Sequence, residues 1–259
     1  MKKLILLLIV CMVAFSSCSK KVGPNMKADE SMRRGLELFK KEKYERAIPL
    51  FENSLMEAES PEMAAKAQLL LADAFFLDKR YPEAIPAYGQ FLEIYGETED
   101  ANTALLRMGL SHYALLSTVD RDMAAAEGAL AAFTKLRDKS PSFAREFKLN
   151  AKIVELRGML ADRELYVAKF YLRIKKPDSA EGRLKYLIEN YQDSVAYEEG
   201  LYIYANWLAE KDGKEAEAVK YYNKLIKERP NSGYTLEVAG KLTELLAKIT
   251  ARMGEKGEK

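Results

Sequence analysis

Two stretches of this chain decide its fold: KYERAIPLF at Lys43–Phe51 and RYPEAIPAY at Arg80–Tyr88. They lie 37 residues apart and carry Tyr, Ala-Ile-Pro and a closing aromatic at the same internal positions. Self-similarity at a period between about 20 and 50 residues is the signature of a repeat architecture, in which each unit buries its apolar face against the next. The match continues upstream, where Gly35 corresponds to Ala72. From Ala28 onward apolar residues recur every three or four positions with few turn signals, so the repeating unit is helical.

The first unit, 28–61, contains Gly35, Tyr44, Ala47 and Phe51; the second, 62–97, contains Ala72, Tyr81, Ala84 and Tyr88 at identical offsets. These small, aromatic, small and large positions resemble the tetratricopeptide repeat. In that motif small residues sit where two antiparallel helices touch and large ones fill the space between hairpins. A third unit, 101–141, has Gly109, Ala129 and Phe133, with 20 residues between Gly109 and Ala129 where the earlier units have 12. The extra residues fall around LLSTVDRDMAAA, 115–126, which predicts an enlarged loop near Asp120. A fourth unit, 143–194, has Ala168, Ala180 and Leu184, and a fifth, 196–232, has Ala218, Tyr222 and Leu225. A capping helix over 234–253 and a flexible tail over 254–259 complete the reading. The expected fold is all-α, a superhelical solenoid of about five tetratricopeptide repeats with a C-terminal capping helix. Pro49 and Pro86 fall past the first turn of equivalent helices, where each removes one helical hydrogen bond. They either set a matching curvature in the two hairpins or are tolerated at the surface.

Residues 1–17 read as a targeting segment and not as part of the fold. Lys2 and Lys3 precede an apolar run of 12 residues, Leu4–Phe15, too short for a bilayer-spanning helix, which needs about 20. Phe15-Ser16-Ser17-Cys18 resembles a bacterial lipobox, which implies that Cys18 is acylated with diacylglyceryl and acyl chains and becomes the new N-terminus. The alternative is an ordinary signal peptide followed by an incidental cysteine. Residues 18–27 form the lipidated cysteine and a short tether. Of the two cysteines, Cys11 leaves with the signal, so no thiolate metal site or disulfide is expected.

Charge then narrows the function. The signal holds two lysines and no acid, so of 41 basic residues 39 remain, against 39 acidic. A mature chain of zero net charge gives no support to nucleic-acid binding, which calls for a basic face. With His112 the only histidine, and with no Gly-rich phosphate loop or nucleophile elbow, neither a catalytic site nor a metal site is expected, and no cofactor. His112 itself reads as a packing residue.

A repeat array carries its function on an extended concave surface. The repeat register turns Met32, Leu36 and Phe39, then Leu69, Asp73 and Phe76, then Leu106, Leu110 and Tyr113 toward that surface. Eight of these nine are apolar or aromatic, which suits an apolar or aromatic peptide segment. The competing reading makes them part of the core.

The lipobox, short tether and repeats together resemble the BamD (ComL) family of outer-membrane assembly lipoproteins. The match is most specific at Leu160–Ser194, where Leu160, Ala161, Glu164, Val167, Ala168, Tyr171, Ala180, Arg183, Tyr191, Asp193 and Ser194 are similar to the family pattern. Met108-Gly109-Leu110 and Asp120-Arg121-Asp122 resemble further family features. Gln192 and Gly96 stand where the family places proline at hairpin ends. The resemblance implies a non-enzymatic scaffold of the β-barrel assembly machinery, lipid-anchored on the periplasmic face of the outer membrane. It implies that the N-terminal repeats receive unfolded outer-membrane proteins, that the C-terminal repeats dock a BamA-like barrel-forming subunit, and that accessory lipoproteins attach. By position, Glu164 and Arg183 are the candidates for partner docking, or else they pair within their hairpin. The alternative function is a tetratricopeptide lipoprotein adaptor in pilus assembly or cell-envelope division. A lytic transglycosylase would need a catalytic domain for which the repeats leave no room.

Overall fold

The computed structural model describes residues 26–118 and 122–257. The signal segment, Cys18, most of the tether, Asp120 and Arg121 lie outside the described residues. Twelve helices and no strand occur among the described residues, as the apolar spacing predicts. Contacts divide the chain into two units, the first ending at Ala104 and the second beginning at Leu105.

The first unit is built from α1 (Ala28–Lys40), α2 (Tyr44–Met56), α3 (Pro61–Leu77), α4 (Tyr81–Tyr95) and the first turn of α5 (Ala101–Ala114). Helices α1 and α2 form one hairpin and α3 and α4 the next, and the quoted repeat occupies the second helix of each. Both helices run through their prolines, Pro49 and Pro86. Ser60 starts α3: its hydroxyl accepts a hydrogen bond from Met63 N at 3.2 Å, and Pro61 follows at a position whose N–H would be unpaired anyway.

Both hairpins turn in the same way. Glu42 and Lys79 adopt the left-handed conformation, with φ of 56° and 60°. Lys43 N reaches back to Leu38 O and Arg80 N to Phe75 O, while Glu42 N bonds Phe39 O and Lys79 N bonds Phe76 O. This pair of backward bonds satisfies the carbonyls that a helix leaves open at its C-terminus. Lys175 repeats the arrangement in the second unit, with φ 56° and Lys176 N bonded to Tyr171 O.

Inside the hairpins the small residues serve as sockets. A Cβ on Gly35 would stand 2.7 Å from Cε1 of Phe51, and Phe133 crowds Gly109 in the same manner. Ala47, Ala84, Ala129, Ala180 and Ala218, the second small position of the five repeats, are all fully buried.

The second unit continues α5 and adds α6 (Ala124–Lys139), α7 (Pro141–Glu146), α8 (Leu149–Arg173), α9 (Pro177–Asn190), α10 (Ala196–Ala209), α11 (Glu215–Glu228) and α12 (Thr235–Gly257). The connection from α5 to α6 is the enlarged loop, closed by Asp122, whose carboxylate accepts a hydrogen bond from Ala124 N at 3.0 Å. Tyr197, Leu201, Tyr204, Tyr222 and Val238 anchor the core of the last helices. Helix α12 extends through 254–257, where the sequence suggests a flexible tail; the Glu and Lys residues there are good helix formers and no proline stops them.

Candidate functional site

The residues that the register turns inward are best followed within each unit. In the first, the Phe39 ring meets Tyr44 edge-on at 5.2 Å and Phe51 at 6.0 Å. Phe76 meets Tyr81 at 5.9 Å and Tyr88 at 6.4 Å, the same triad displaced by one repeat. Both phenylalanines therefore close their own hairpins. Met32 and Asp73 are buried, and the Asp73 carboxylate accepts a hydrogen bond from the Tyr88 hydroxyl at 2.6 Å. Leu36 and Leu69 remain half-buried.

In the second unit Leu106 is buried and Leu110 half-buried. Tyr113 leans on Phe133 at 6.4 Å and donates to the Glu155 carboxylate at 2.7 Å, while the Lys152 ammonium lies 4.1 Å above its ring. The hydrogen bond to Glu155, then burial, raises the Tyr113 phenol above its ordinary value.

A pronounced concavity lies wholly in the second unit. A groove of about 880 Å³ runs between α6 and α8 and on to α9. Helix α8 contributes Asn150, Ile153, Val154, Arg157 and Leu160, a three- and four-residue spacing that brings them to one face. Helix α6 contributes Leu130 and Thr134, and Tyr186 and Tyr191 line the α9 side. Val154 is 60% exposed and Tyr186 48%, so the groove offers apolar surface to a ligand. An adjoining recess of about 230 Å³ shares Glu127, Leu160, Tyr186 and Tyr191 and adds Met123, Arg163, Glu164 and Arg183.

Fixed charges border this groove. The Arg157 guanidinium donates to both oxygens of Asp193, at 2.7 Å each, and to Asn190 O at 2.6 Å, with the Tyr191 ring 5.4 Å away. The hydrogen bonds from Arg157 hold the Asp193 carboxyl below the usual carboxylate range. Burial, with the neighbouring Tyr186, pushes the Tyr191 phenol up to about 12, so it is neutral. Arg183 and Glu164 face each other across the α8–α9 hairpin at 3.2 Å, with Glu164 largely covered and Arg183 half exposed. The two thus form an ion pair within their hairpin.

This arrangement offers an apolar floor, aromatic walls and paired charges, which is the chemistry of peptide binding. Among the described residues no cluster of His, Cys, Asp or Glu is arranged to hold a metal ion. Sequence reasoning did not single out Arg157 or Tyr186. The three- and four-residue spacing along α8 was the available signal for Arg157, since it lies one turn from Leu160 on the face that also bears Glu164.

The profile of the YfiO family, described as outer membrane lipoprotein, matches residues 24–211. The chain belongs to the YfiO family. A tetratricopeptide-repeat profile matches 199–232, where α10 and α11 form a hairpin. Among YfiO-like relatives, the outer membrane protein assembly factor BamD of Rickettsia prowazekii is 29% identical over 234 residues, covering 89% of this chain and 92% of that protein. BamD of Caulobacter vibrioides is 27% identical over 141 residues, covering 54% of this chain and 46% of its own length. A solved tetratricopeptide protein of Thermus thermophilus, TTC0263, aligns at 18% identity with a TM-score of 0.35, covering 85% of this YfiO-family chain and 99% of its own. Among the described residues no helix is long and apolar enough to cross a membrane.

Proposed function

We propose that this protein is a lipid-anchored scaffold of the outer-membrane β-barrel assembly machinery, held on the periplasmic face by acyl chains on Cys18. The reading rests on the YfiO match over 24–211, supported by a relative named as an assembly factor along nearly its whole length. In this role the half-buried Leu36 and Leu69 of the first unit, and Leu110 of the second, contact apolar segments of unfolded barrel proteins. The groove along α8, with the Glu164–Arg183 pair at its recess, docks the periplasmic domain of a BamA-like subunit.

Affinity purification from detergent-solubilised outer membrane tests the reading. The barrel-forming subunit should co-purify, and depletion of the protein should lower the levels of outer-membrane barrels. Recovery of a pilus secretin or a cell-wall synthase in its place, with barrel levels intact, would move the function to the adaptor class. Incorporation of labelled palmitate, abolished by Cys18→Ala, tests the anchor separately.

A further inference from the structure

The end of α8 carries a surface that the groove does not use. From Leu165 to Pro177 the chain reads LYVAKFYLRIKKP: four cations, three aromatics and no acid. In a chain whose mature charges cancel, such a run concentrates positive charge locally. Tyr166, Phe170 and Ile174 recur every four residues and are 45%, 40% and 42% exposed, so they form one apolar stripe. At 3.6 residues per turn the middle of this stripe lies about a third of a turn around α8 from the face of Arg157, Leu160 and Glu164.

The cations are arranged around the stripe. The Arg163 guanidinium lies 5.9 Å from the Tyr166 ring and that of Arg173 lies 5.6 Å from the Phe170 ring. Lys169 pairs with Glu199 at 2.5 Å, which leaves its charge half exposed. Lys175 and Lys176, at the turn into α9, are exposed and form no ion pair among the described residues. The left-handed backbone at Lys175 fixes this tip in place.

We infer that the tip of the α8–α9 hairpin rests on an anionic phospholipid surface, with Tyr166, Phe170 and Ile174 at the headgroup boundary and Arg173, Lys175 and Lys176 on lipid phosphates. Aromatic rings collect at that boundary, long basic side chains extend past them to the headgroups, and basic clusters are drawn to anionic leaflets. A stripe of exposed apolar residues at the end of a helix, ringed by cations, suits the boundary between acyl chains and anionic headgroups. This contact goes beyond the proposed function, which attaches the chain through Cys18 alone, and it orients the second unit toward the membrane.

The test uses the full chain with Cys11→Ser and Cys18→Ser, so that it does not depend on acylation. Its apolar N-terminal segment holds it on vesicles, and an environment-sensitive fluorophore is placed on Ile174→Cys or, in a second variant, Phe170→Cys. On vesicles of phosphatidylcholine mixed with phosphatidylglycerol the emission should shift to the blue and be quenched by brominated acyl chains. Both signals should be lost on pure phosphatidylcholine, at high salt, and in Arg173→Glu/Lys175→Glu/Lys176→Glu, which leaves circular dichroism unchanged. A label on Leu236→Cys, at a residue 89% exposed elsewhere in the unit, should stay in water. Quenching at 170 and 174 no greater than at 236 would overturn the inference. So would crosslinking of the same tip to an acidic protein without any lipid quenching, which would make it a protein interface.

Discussion

Phe51 occupies the space that a side chain on Gly35 would need, its Cε1 atom 2.7 Å from where a Cβ would stand. Because Phe51 is fully buried and also packs against Phe39, it has nowhere to withdraw. Gly35→Ala should therefore cost about 1–3 kcal/mol, the usual penalty of overpacking, read as a lower urea midpoint. Adding Phe51→Leu should return part of that loss if the ring is the obstacle. Equal stability of Gly35→Ala and the parent would mean that the hairpin is looser than its packing implies.

Asp73 and Tyr88 present a second relationship that the repeat explains. One repeat earlier their equivalents are Leu36 and Phe51, so a buried polar pair in the second hairpin replaces an apolar pair in the first. Removing one member of a hydrogen-bonded buried pair costs about 1–3 kcal/mol, whereas replacing both can be nearly neutral. Tyr88→Phe and Asp73→Leu should each lower the thermal midpoint, and the double variant should lose less than the sum of the two. Additive losses in the double-mutant cycle would refute the coupling.

At the turn between α3 and α4, Lys79 holds a left-handed conformation that costs a residue with a side chain roughly 1–2 kcal/mol. Lys79→Gly should raise stability by up to about 1 kcal/mol, the relief being offset by the greater freedom of glycine in the unfolded chain. Lys79→Val should lower it, because β-branching is least compatible with positive φ. Thermal denaturation of the pair gives opposite signs if the turn is formed as described.

Burial holds the His112 imidazole below its ordinary value, where it fills the gap left by Gly128. The unfolded chain takes up this proton near pH ~6.5 and the folded chain only at lower pH, so the unfolded state binds more protons in between. Stability should accordingly fall as the pH drops below about 6.5 and level off, as far as this group is concerned, below the folded value. Urea titrations compared with His112→Gln isolate the effect from the carboxylates. With a single histidine in the chain, the imidazole resonance can be followed directly, and titration at or above the unfolded value would contradict the assignment.

The hairpins were legible because their determinants are local and periodic: Tyr44 and Tyr81 follow Phe39 and Phe76 by five residues, and each aromatic triad closes within one repeat. The concave face is decided by more than this local pattern. A residue pointing inward by register can still be spent on its own hairpin, as Phe39 and Phe76 are, and spacing alone does not separate the two. Asp73 looked like the polar exception in an apolar face, whereas its partner Tyr88 lies 15 residues on and on the next helix. The Arg157 clamp was harder still, since it joins residues 36 apart through a turn whose geometry no sequence pattern announces.

The three-residue turns have a consequence for how such a chain changes over time. At 41–43 and 78–80 the helices are joined by backbone bonds that count residues, so an insertion there would shift one helix of an aromatic triad past the other. The α5–α6 connection is longer than these turns, and that is where the third repeat took up its additional residues. Tolerance to insertion should thus alternate along the chain, absent at the tight hairpin tips and open between Leu115 and Met123. New segments can accumulate there without disturbing the ancestral spacing of the helices.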